Sequence, residues 1–146
     1  MPAPATDDLL PTTFVNLVRA HDRLEAGFSA LFKEHGLTMS QYNVLRIVRG
    51  TGKEGASCQH VGDELLTRVP DVTRLIDRME KAGLVTRTRS TEDRRVVHVH
   101  LTPKGKRLCD KLDGPVMACH RTQFAHVDRK TLEALNRGLQ RILDEA

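Results

Sequence analysis

The sequence predicts a mainly α-helical protein that carries one small β-hairpin. Apolar residues recur at spacings of three and four along most of the chain, which is the period of an amphipathic helix. One stretch, Leu84 to Thr102, instead alternates apolar and polar side chains with a period of two, as half-buried strands do. With 146 residues, 39% of them hydrophobic, the chain is long enough for one folded core. We therefore expect a single domain over residues 1–146.

The N-terminal part of the chain predicts two helices. The first runs from Thr12 to about Glu34 and ends at Gly36, and its apolar stripe is too long for a small domain to cover alone. A second helix is expected from Gln41 to Arg49, with Ser40 as its N-cap. The first stripe therefore requires a partner beyond the core of one chain.

Two short helices joined by a tight turn follow, an arrangement typical of a helix-turn-helix. Ser57 is expected to cap the first, whose inward side chains are Val61, Leu65 and Leu66. The turn lies around Leu66-Thr67-Arg68, and the second helix is expected from about Pro70. Its predicted core face consists of Val72, Leu75, Ile76 and Met79.

The hairpin follows directly after Gly83, which ends the second of these helices. Val85 alternates with Arg87 and Arg89 on one side, and Val97, Val99 and Leu101 alternate with two histidines on the other. The tip between them, Ser90 to Arg95, is polar and basic. The order helix, turn, helix, strand, wing, strand is that of a winged helix-turn-helix, which we assign to residues 36–102.

The C-terminal third is helical again. Thr102 and Pro103 form a strong helix start, and Gly114-Pro115 is expected to bend or interrupt the helix that follows. A last helix is predicted from Asp128. Its apolar stripe, like that of the first helix, lacks a partner, so residues 10–35 and 103–145 are the candidate dimerisation helices.

Positive charge is concentrated on the winged segment. Residues 67–107 contain eleven Lys and Arg against five Asp and Glu, a net of +6, whereas the whole chain carries +4. Arginines on a helix start can pair with guanine edges in the major groove, and arginines on a wing can enter the minor groove. A solvated face with intrahelical ion pairs is the plainer alternative. The candidate DNA-binding residues are Thr67, Arg68, Asp71, Thr73, Arg74, Arg78, Asp93, Arg94 and Arg95.

Three segments together closely resemble the MarR family of multiple antibiotic resistance regulators. They are Val72 to Val85, Asp93-Arg94-Arg95, and Leu101 to Gly105, and the run from Leu37 to Leu45 matches the second-helix signature as well. The likeness covers roughly residues 14–143. It implies a homodimeric transcription factor, usually a repressor, that binds a double-stranded DNA operator. It also assigns Asp93 the role of supporting the wing and Arg95 that of the minor-groove arginine.

The same resemblance implies a small aromatic or phenolic effector, bound between the dimerisation helices and the winged lobe. His21, Tyr42 and Arg46 are the residues that we expect to line such a site, although a core histidine is the favoured interpretation of His21. The absence of tryptophan argues against a urate-sensing subgroup.

Other functions fit the residues less well. Cys58, Cys109 and Cys119 are better explained as small hydrophobes than as a peroxide sensor. A zinc sensor built from four histidines is the less favoured metal alternative: His98, His100, His120 and His126. No enzyme motif or cofactor motif is present, so we predict no enzyme, no cofactor and no metal. A winged-helix protein-interaction module stays open, and the lack of a signal or membrane-spanning segment predicts a cytoplasmic protein without a membrane partner.

Overall fold

The computed structural model describes residues 6–144, and this segment is mainly helical with a small antiparallel sheet. The helices are α1 (Leu9–Glu34), α2 (Met39–Gly50), α3 (Cys58–Glu64), α4 (Val72–Lys81), α5 (Pro103–Gln123) and α6 (Arg129–Asp144). The strands are β1 (Ala56–Ser57), β2 (Val85–Arg89) and β3 (Val97–Leu101). The expected fold class, mainly α with a hairpin wing, is confirmed. The outer ends of the expected domain, residues 1–5 and 145–146, lie outside the described residues.

The N-cap of α2 differs from the prediction. Thr38, not Ser40, caps the helix: its hydroxyl accepts from the Gln41 backbone N–H at 3.2 Å, and the Gln41 side chain accepts from the Thr38 N–H at 3.0 Å. This reciprocal capping box satisfies two backbone donors, whereas a serine two residues later would satisfy one. The helix therefore begins at Met39.

The helix-turn-helix consists of α3, a turn, and α4. Ser57 caps α3 as predicted, accepting from the His60 N–H at 3.0 Å. Leu65 is buried, but the prediction that Leu66 also faces inward is wrong, because Leu66 is 78% exposed. Since α3 ends at Glu64, Leu66 is already in the turn and no longer follows the helical period. The start of α4 at Val72 rather than Pro70 follows from its actual cap, Asp71.

The sheet has three strands in the order β1-β3-β2, one more than the hairpin predicted. Strands β2 and β3 pair antiparallel over their full lengths, with Arg87 opposite Val99. The additional strand β1 pairs antiparallel with β3 through Ala56 and Ser57 only. Two residues are too few to show a periodic pattern, which is why the sequence did not predict this strand.

Gly114-Pro115 was expected to bend or interrupt the helix, and the interruption does not occur, because α5 runs without a break through Pro115. Thr102 caps its start, accepting from the Gly105 N–H at 3.0 Å, with Pro103 in the first turn. Proline removes one backbone hydrogen bond, but side chains on both sides of it, Leu112 and Val116, pack against the core. Tertiary packing therefore keeps the helix continuous. Asp128 caps α6 by accepting from the Thr131 N–H at 2.8 Å.

The core lies in the winged lobe and reaches the C-terminal end of α1 and the N-terminal half of α5. Phe32 of α1 stacks on Tyr42 of α2 with ring centroids 4.2 Å apart. Helix α6 buries no residue, and Phe14 near the start of α1 is 68% exposed. The two terminal helices thus leave apolar faces uncovered within one chain. Among the described residues, no helix is long and apolar enough to cross a membrane.

Candidate DNA-binding interface

Helix α4 presents a buried face to the core and a polar face to solvent. Ile76 and Met79 are fully buried on the inner side. The outer side carries three candidate residues, Thr73, Arg74 and Arg78, all of them exposed. The spacing of four between Arg74 and Arg78 places both guanidinium groups on one side of the helix. Arginine and threonine side chains are the types that contact base edges in the major groove, so the composition of this face suits DNA binding.

The candidate DNA-binding residues that precede α4 have different environments. Thr67 and Arg68 are exposed in the segment between α3 and α4, as a DNA-contacting position requires. Asp71 is also exposed, but its carboxylate accepts from the Arg74 backbone N–H at 3.0 Å. A carboxylate engaged as an N-cap stabilises the helix start. Asp71 is therefore a helix cap in this structure.

The wing is a short turn that is ordered by side-chain contacts. The Ser90 hydroxyl accepts from the backbone N–H groups of Glu92 and Asp93. The Asp93 carboxylate accepts from the Arg95 backbone N–H at 3.0 Å, and it lies 3.5 Å from the Arg95 Nε. Arg94 is exposed, and the Arg95 side chain is 94% exposed. Asp93 thus orders the turn while the Arg95 guanidinium remains largely in solvent.

Arg87 on β2 joins the wing to α4, a role that the sequence pattern did not reveal. Its guanidinium donates to Glu80 at 3.0 Å and pairs with Asp77, both on α4. The Arg87 backbone N–H also donates to Glu80 at 3.2 Å. Hydrogen bonding to Glu80, with a smaller contribution from Asp77, raises the pKa of Arg87. This ion pair fixes the strand of the wing against the helix that precedes it.

The helix start and the wing tip line one cleft. Thr73 of α4 and Arg95 of the wing border an open cleft of about 380 Å³, together with Cys58 at the start of α3. Two parts that are separated by 22 residues in sequence therefore form a common surface. Within residues 6–144, Arg74, Arg78 and Arg94 form no ion pair, so these guanidinium groups are not neutralised by neighbouring carboxylates.

The expected effector residues are not gathered in one place. Tyr42 is buried against Phe32 of α1. His21 precedes Phe32 by eleven residues on α1, which is about 16 Å along the helix axis. The favoured interpretation of His21 as a core histidine is wrong, because its side chain is 67% exposed. Burial raises the pKa of the Tyr42 phenol, and the nearby charge of Arg46 opposes part of that rise. Tyr42 and the exposed Arg46 are thus neighbours, and His21 is not one of them.

The histidines of the zinc hypothesis are also dispersed. The His98 and His100 rings are 6.5 Å apart on β3, and His100 Nε2 lies 3.0 Å from the Thr88 hydroxyl. In the described part of the chain, the one group with ligand spacing is His21, Asp22 and Glu25, which includes none of the four. His120 instead packs edge-on against Phe28. These four histidines therefore do not form a metal site in this structure.

The cysteines are free thiols in different environments. Cys109 is fully buried, as expected of a small hydrophobe, and burial raises the pKa of its thiol. Cys58 and Cys119 are half-buried. A raised pKa keeps the thiol protonated and less reactive, so Cys109 does not have the properties of an oxidant sensor.

The fold and this surface are those of a winged-helix DNA-binding protein. Comparison with known proteins supports the same class. The family model described as transcriptional regulator SarA/Rot matches residues 26–112, more than half of the chain. A MarR transcription factor from Planctomyces limnophilus is 37% identical, with 94% of this chain and 96% of that protein covered and a TM-score of 0.72. The chain therefore belongs to the SarA/Rot family and is a MarR-type winged-helix transcriptional regulator.

Two further relatives extend this comparison. A cysteine-to-serine mutant of E. coli MarR, solved in complex with operator DNA, shares the fold with a TM-score of 0.82 at 19% identity, covering 97% of this chain and 99% of that one. YkoM of Bacillus subtilis strain 168, an uncharacterised HTH-type transcriptional regulator, is 35% identical over 80 residues. The match with YkoM covers 55% of this chain and 51% of YkoM, so the chain spans about half the length of this curated relative.

Proposed function

We propose that the protein is a homodimeric repressor that binds a pseudopalindromic DNA operator. Helix α4 enters the major groove of each half-site, and the wing reaches the adjacent minor groove. The observation that carries this proposal is the cleft shared by Thr73 of α4 and Arg95 of the wing. Arg74 and Arg78 on the same helix and Arg94 on the same wing are exposed and form no ion pair within the described residues. A fold of this class, found bound to operator DNA in E. coli MarR, supports the assignment.

The uncovered terminal helices support the dimer. Exposed apolar side chains on α1 and α6 include Leu10, Phe14, Val18, Leu135, Ile142 and Leu143. A surface of this kind on a water-soluble chain marks an interaction site, and a second copy of the same chain can cover it with two-fold symmetry. The two winged lobes would then contact half-sites about 34 Å apart, one turn of the duplex. We accordingly assign residues 10–35 and 103–145 to dimerisation and residues 36–102 to DNA binding.

The division of labour between α4 and the wing provides the test. Duplexes selected from a random-sequence library by the wild-type protein would be compared with unrelated duplex in binding titrations at several salt concentrations. Arg95→Ala is expected to weaken both kinds of binding and to reduce the salt dependence, because it removes a groove charge. Arg74→Ala is expected to weaken the selected duplex more than unrelated DNA, by about tenfold, because it removes a base contact.

Arg129→Ala is the matched control, since it makes the same change in charge outside the winged lobe. The Arg129 side chain is 92% exposed and pairs with Glu133 of the same helix, so it is not one of the apolar side chains of the proposed dimer interface. This variant is expected to leave both affinities unchanged. Binding that does not depend on salt, or an absence of any selected sequence, would contradict the proposal and favour a protein-interaction module.

A small aromatic or phenolic anion is the proposed effector, on the strength of the family resemblance. Arg46 is exposed beside the buried Tyr42, so it is the residue that we expect to receive the anionic group. Salicylate is a suitable probe, and its addition should release the selected duplex. Arg46→Ala should lose this response, whereas His21→Ala should keep it because His21 lies elsewhere on α1. Release from both variants at the wild-type concentration would contradict this site.

A further inference from the structure

The C-terminal end of α4 is held by the first turn of α5. The Lys104 ammonium donates to the Ala82 carbonyl at 2.9 Å, and the Thr102 hydroxyl donates to the Gly83 carbonyl at 2.6 Å. The Thr102 backbone N–H donates to the Leu84 carbonyl at 3.1 Å. Carbonyls at the end of a helix lack partners within the helix and attract cations. Here, the carbonyls directly after α4 receive their donors from Lys104 in α5 and from Thr102, the residue that caps α5.

Close packing at Gly105 reinforces these hydrogen bonds. A Cβ atom at this position would lie 2.0 Å from the Leu84 carbonyl oxygen and 3.0 Å from the carbonyl carbon. No side chain fits there without a shift of the backbone, because both contacts are made with main-chain atoms. Residues 82–84 and 102–105 thus form a tightly packed connection, which we call the α4–α5 joint.

The joint connects two parts with different proposed tasks. Helix α4 reads one half-site, whereas α5 belongs to the dimerisation helices and is expected to determine where the second lobe lies. The contact between Arg87 and Glu80 joins α4 to β2 and therefore acts within one lobe. The joint acts between the lobe and the dimer axis.

We propose that the α4–α5 joint determines which separation of operator half-sites the dimer accepts. This inference rests on the proposed function, since it requires a dimer that reads two half-sites. With ten residues, α4 is about 15 Å long, so a displacement at its C-terminal end moves its DNA-reading end as well. Successive base pairs are about 3.4 Å apart, and displacements of an ångström or two in each lobe therefore change the match to the duplex. Lys104, Thr102 and Gly105 are positioning residues for recognition rather than DNA contacts.

The test measures spacing preference rather than affinity alone. The full-length protein would first select an inverted repeat from random-sequence duplex. Its affinity would then be measured for three duplexes: the selected one, one with a base pair inserted at the centre, and one with a base pair removed there. The wild type should discriminate against both altered duplexes. Lys104→Ala loosens the joint, so this discrimination should fall about fivefold, the effect of one hydrogen bond. Gly105→Ala forces the joint apart and should move the preference toward one of the altered duplexes.

Two controls separate positioning from stability and charge. Lys106→Ala removes the same charge two residues along α5, where Lys106 pairs with Asp110 of the same helix, and it should keep the wild-type discrimination. Thr102→Ser keeps the hydroxyl that bonds both the Gly83 carbonyl and the Gly105 N–H, and it should also behave as wild type. Binding to a duplex that contains a single half-site should be unchanged in Lys104→Ala.

The inference is overturned if Lys104→Ala and a folded Gly105→Ala both keep the wild-type ratio among the three duplexes. If Gly105→Ala does not fold, Lys104→Ala decides alone, because Lys104 is exposed and its loss leaves the core intact. A wild-type protein that selects no inverted repeat contradicts the proposed function itself. A repeat that is bound by all variants with the same spacing preference contradicts only the role of the joint.

Discussion

Two pairs of arginines in this protein differ in whether carboxylates of another element bind them. Arg49 and Arg87 each pair with two carboxylates from another element, so their charges stabilise the fold. Arg74 and Arg78 form no ion pair within residues 6–144 and face solvent on α4. The sequence alone could identify the second pair from the helical period, but it could not identify the first. Partners that are brought together by tertiary folding leave no periodic signal.

Replacing Arg87 tests its role in joining the wing to α4. Arg87→Ala is expected to lower the free energy of unfolding by about 1 kcal/mol, because solvent screening limits an ion pair that is partly exposed. Arg89→Ala is the matched control on the same strand, and it should change the free energy of unfolding by less than about 0.5 kcal/mol. Urea unfolding measures both values. Equal losses in the two variants would show that the pairing with Glu80 contributes nothing beyond the side chain's own packing.

Asp93 offers a prediction in which two physical effects oppose each other. Removing a negative charge next to DNA should strengthen binding, whereas removing the acceptor of the Arg95 N–H should loosen the wing. We expect the loss of order to dominate, so Asp93→Ala should weaken DNA binding about fivefold. Asp93→Asn retains an acceptor and loses the charge, and it should bind at least as tightly as wild type. Tighter binding by Asp93→Ala in a direct titration would show that charge dominates.

At the scale of whole elements, prediction succeeded where a period extends over many residues. Helices α1, α4 and α6 and the hairpin β2–β3 lie close to where the sequence places them. The failures occur where a local contact competes with a pattern. Leu66 belongs to a turn although it follows a helical run, and Pro115 stays within a helix because packing on both sides outweighs one lost hydrogen bond.

The ion pairs between α2 and α5 involve two carboxylates, so we expect their contribution to stability to vary with pH. Arg49 donates to both carboxylate oxygens of Asp113 at 2.9 Å and to Asp110 at 2.9 Å. Hydrogen bonding to Arg49 lowers the pKa of Asp113, and hydrogen bonds from Lys106 and then Arg49 lower that of Asp110. A carboxyl whose pKa is lower in the folded state stabilises the fold above its unfolded pKa, about 3.9, and this contribution disappears as pH falls through the folded value.

Arg49→Gln should therefore lower the urea midpoint at pH 7, and the difference from wild type should shrink as pH falls below about 4. Lys53→Gln is a suitable control, since Lys53 is exposed in the short 3-10 helix that follows α2 (Gly52–Glu54) and forms no ion pair within the described residues. It should lack this pH-dependent difference. A constant difference between Arg49→Gln and wild type from pH 7 to pH 3 would contradict the argument.

At the scale of the whole molecule, a single chain leaves apolar helix faces exposed. Its core lies in the winged lobe and includes Phe32 of α1 and Leu112 of α5, while α6 buries no residue and the first half of α1 exposes apolar side chains such as Phe14. A sequence shows such stripes but not what covers them, because the covering surface belongs to another molecule. The sequence pattern therefore predicts the winged lobe directly, whereas the proposed dimer rests on the family resemblance and on the exposed apolar faces.

A single substitution on α6 tests whether those faces form the dimer. Ile142 is 57% exposed, and Ile142→Glu would place a charge within the proposed apolar interface, where an unpaired carboxylate is costly to desolvate. We expect the 16.4 kDa chain to sediment as a monomer, with its helical content retained and its affinity for the selected duplex reduced at least tenfold. Gln140→Glu adds the same charge on the opposite side of α6, two residues away, and should remain a dimer. A dimer that forms equally well in both variants would place the interface elsewhere.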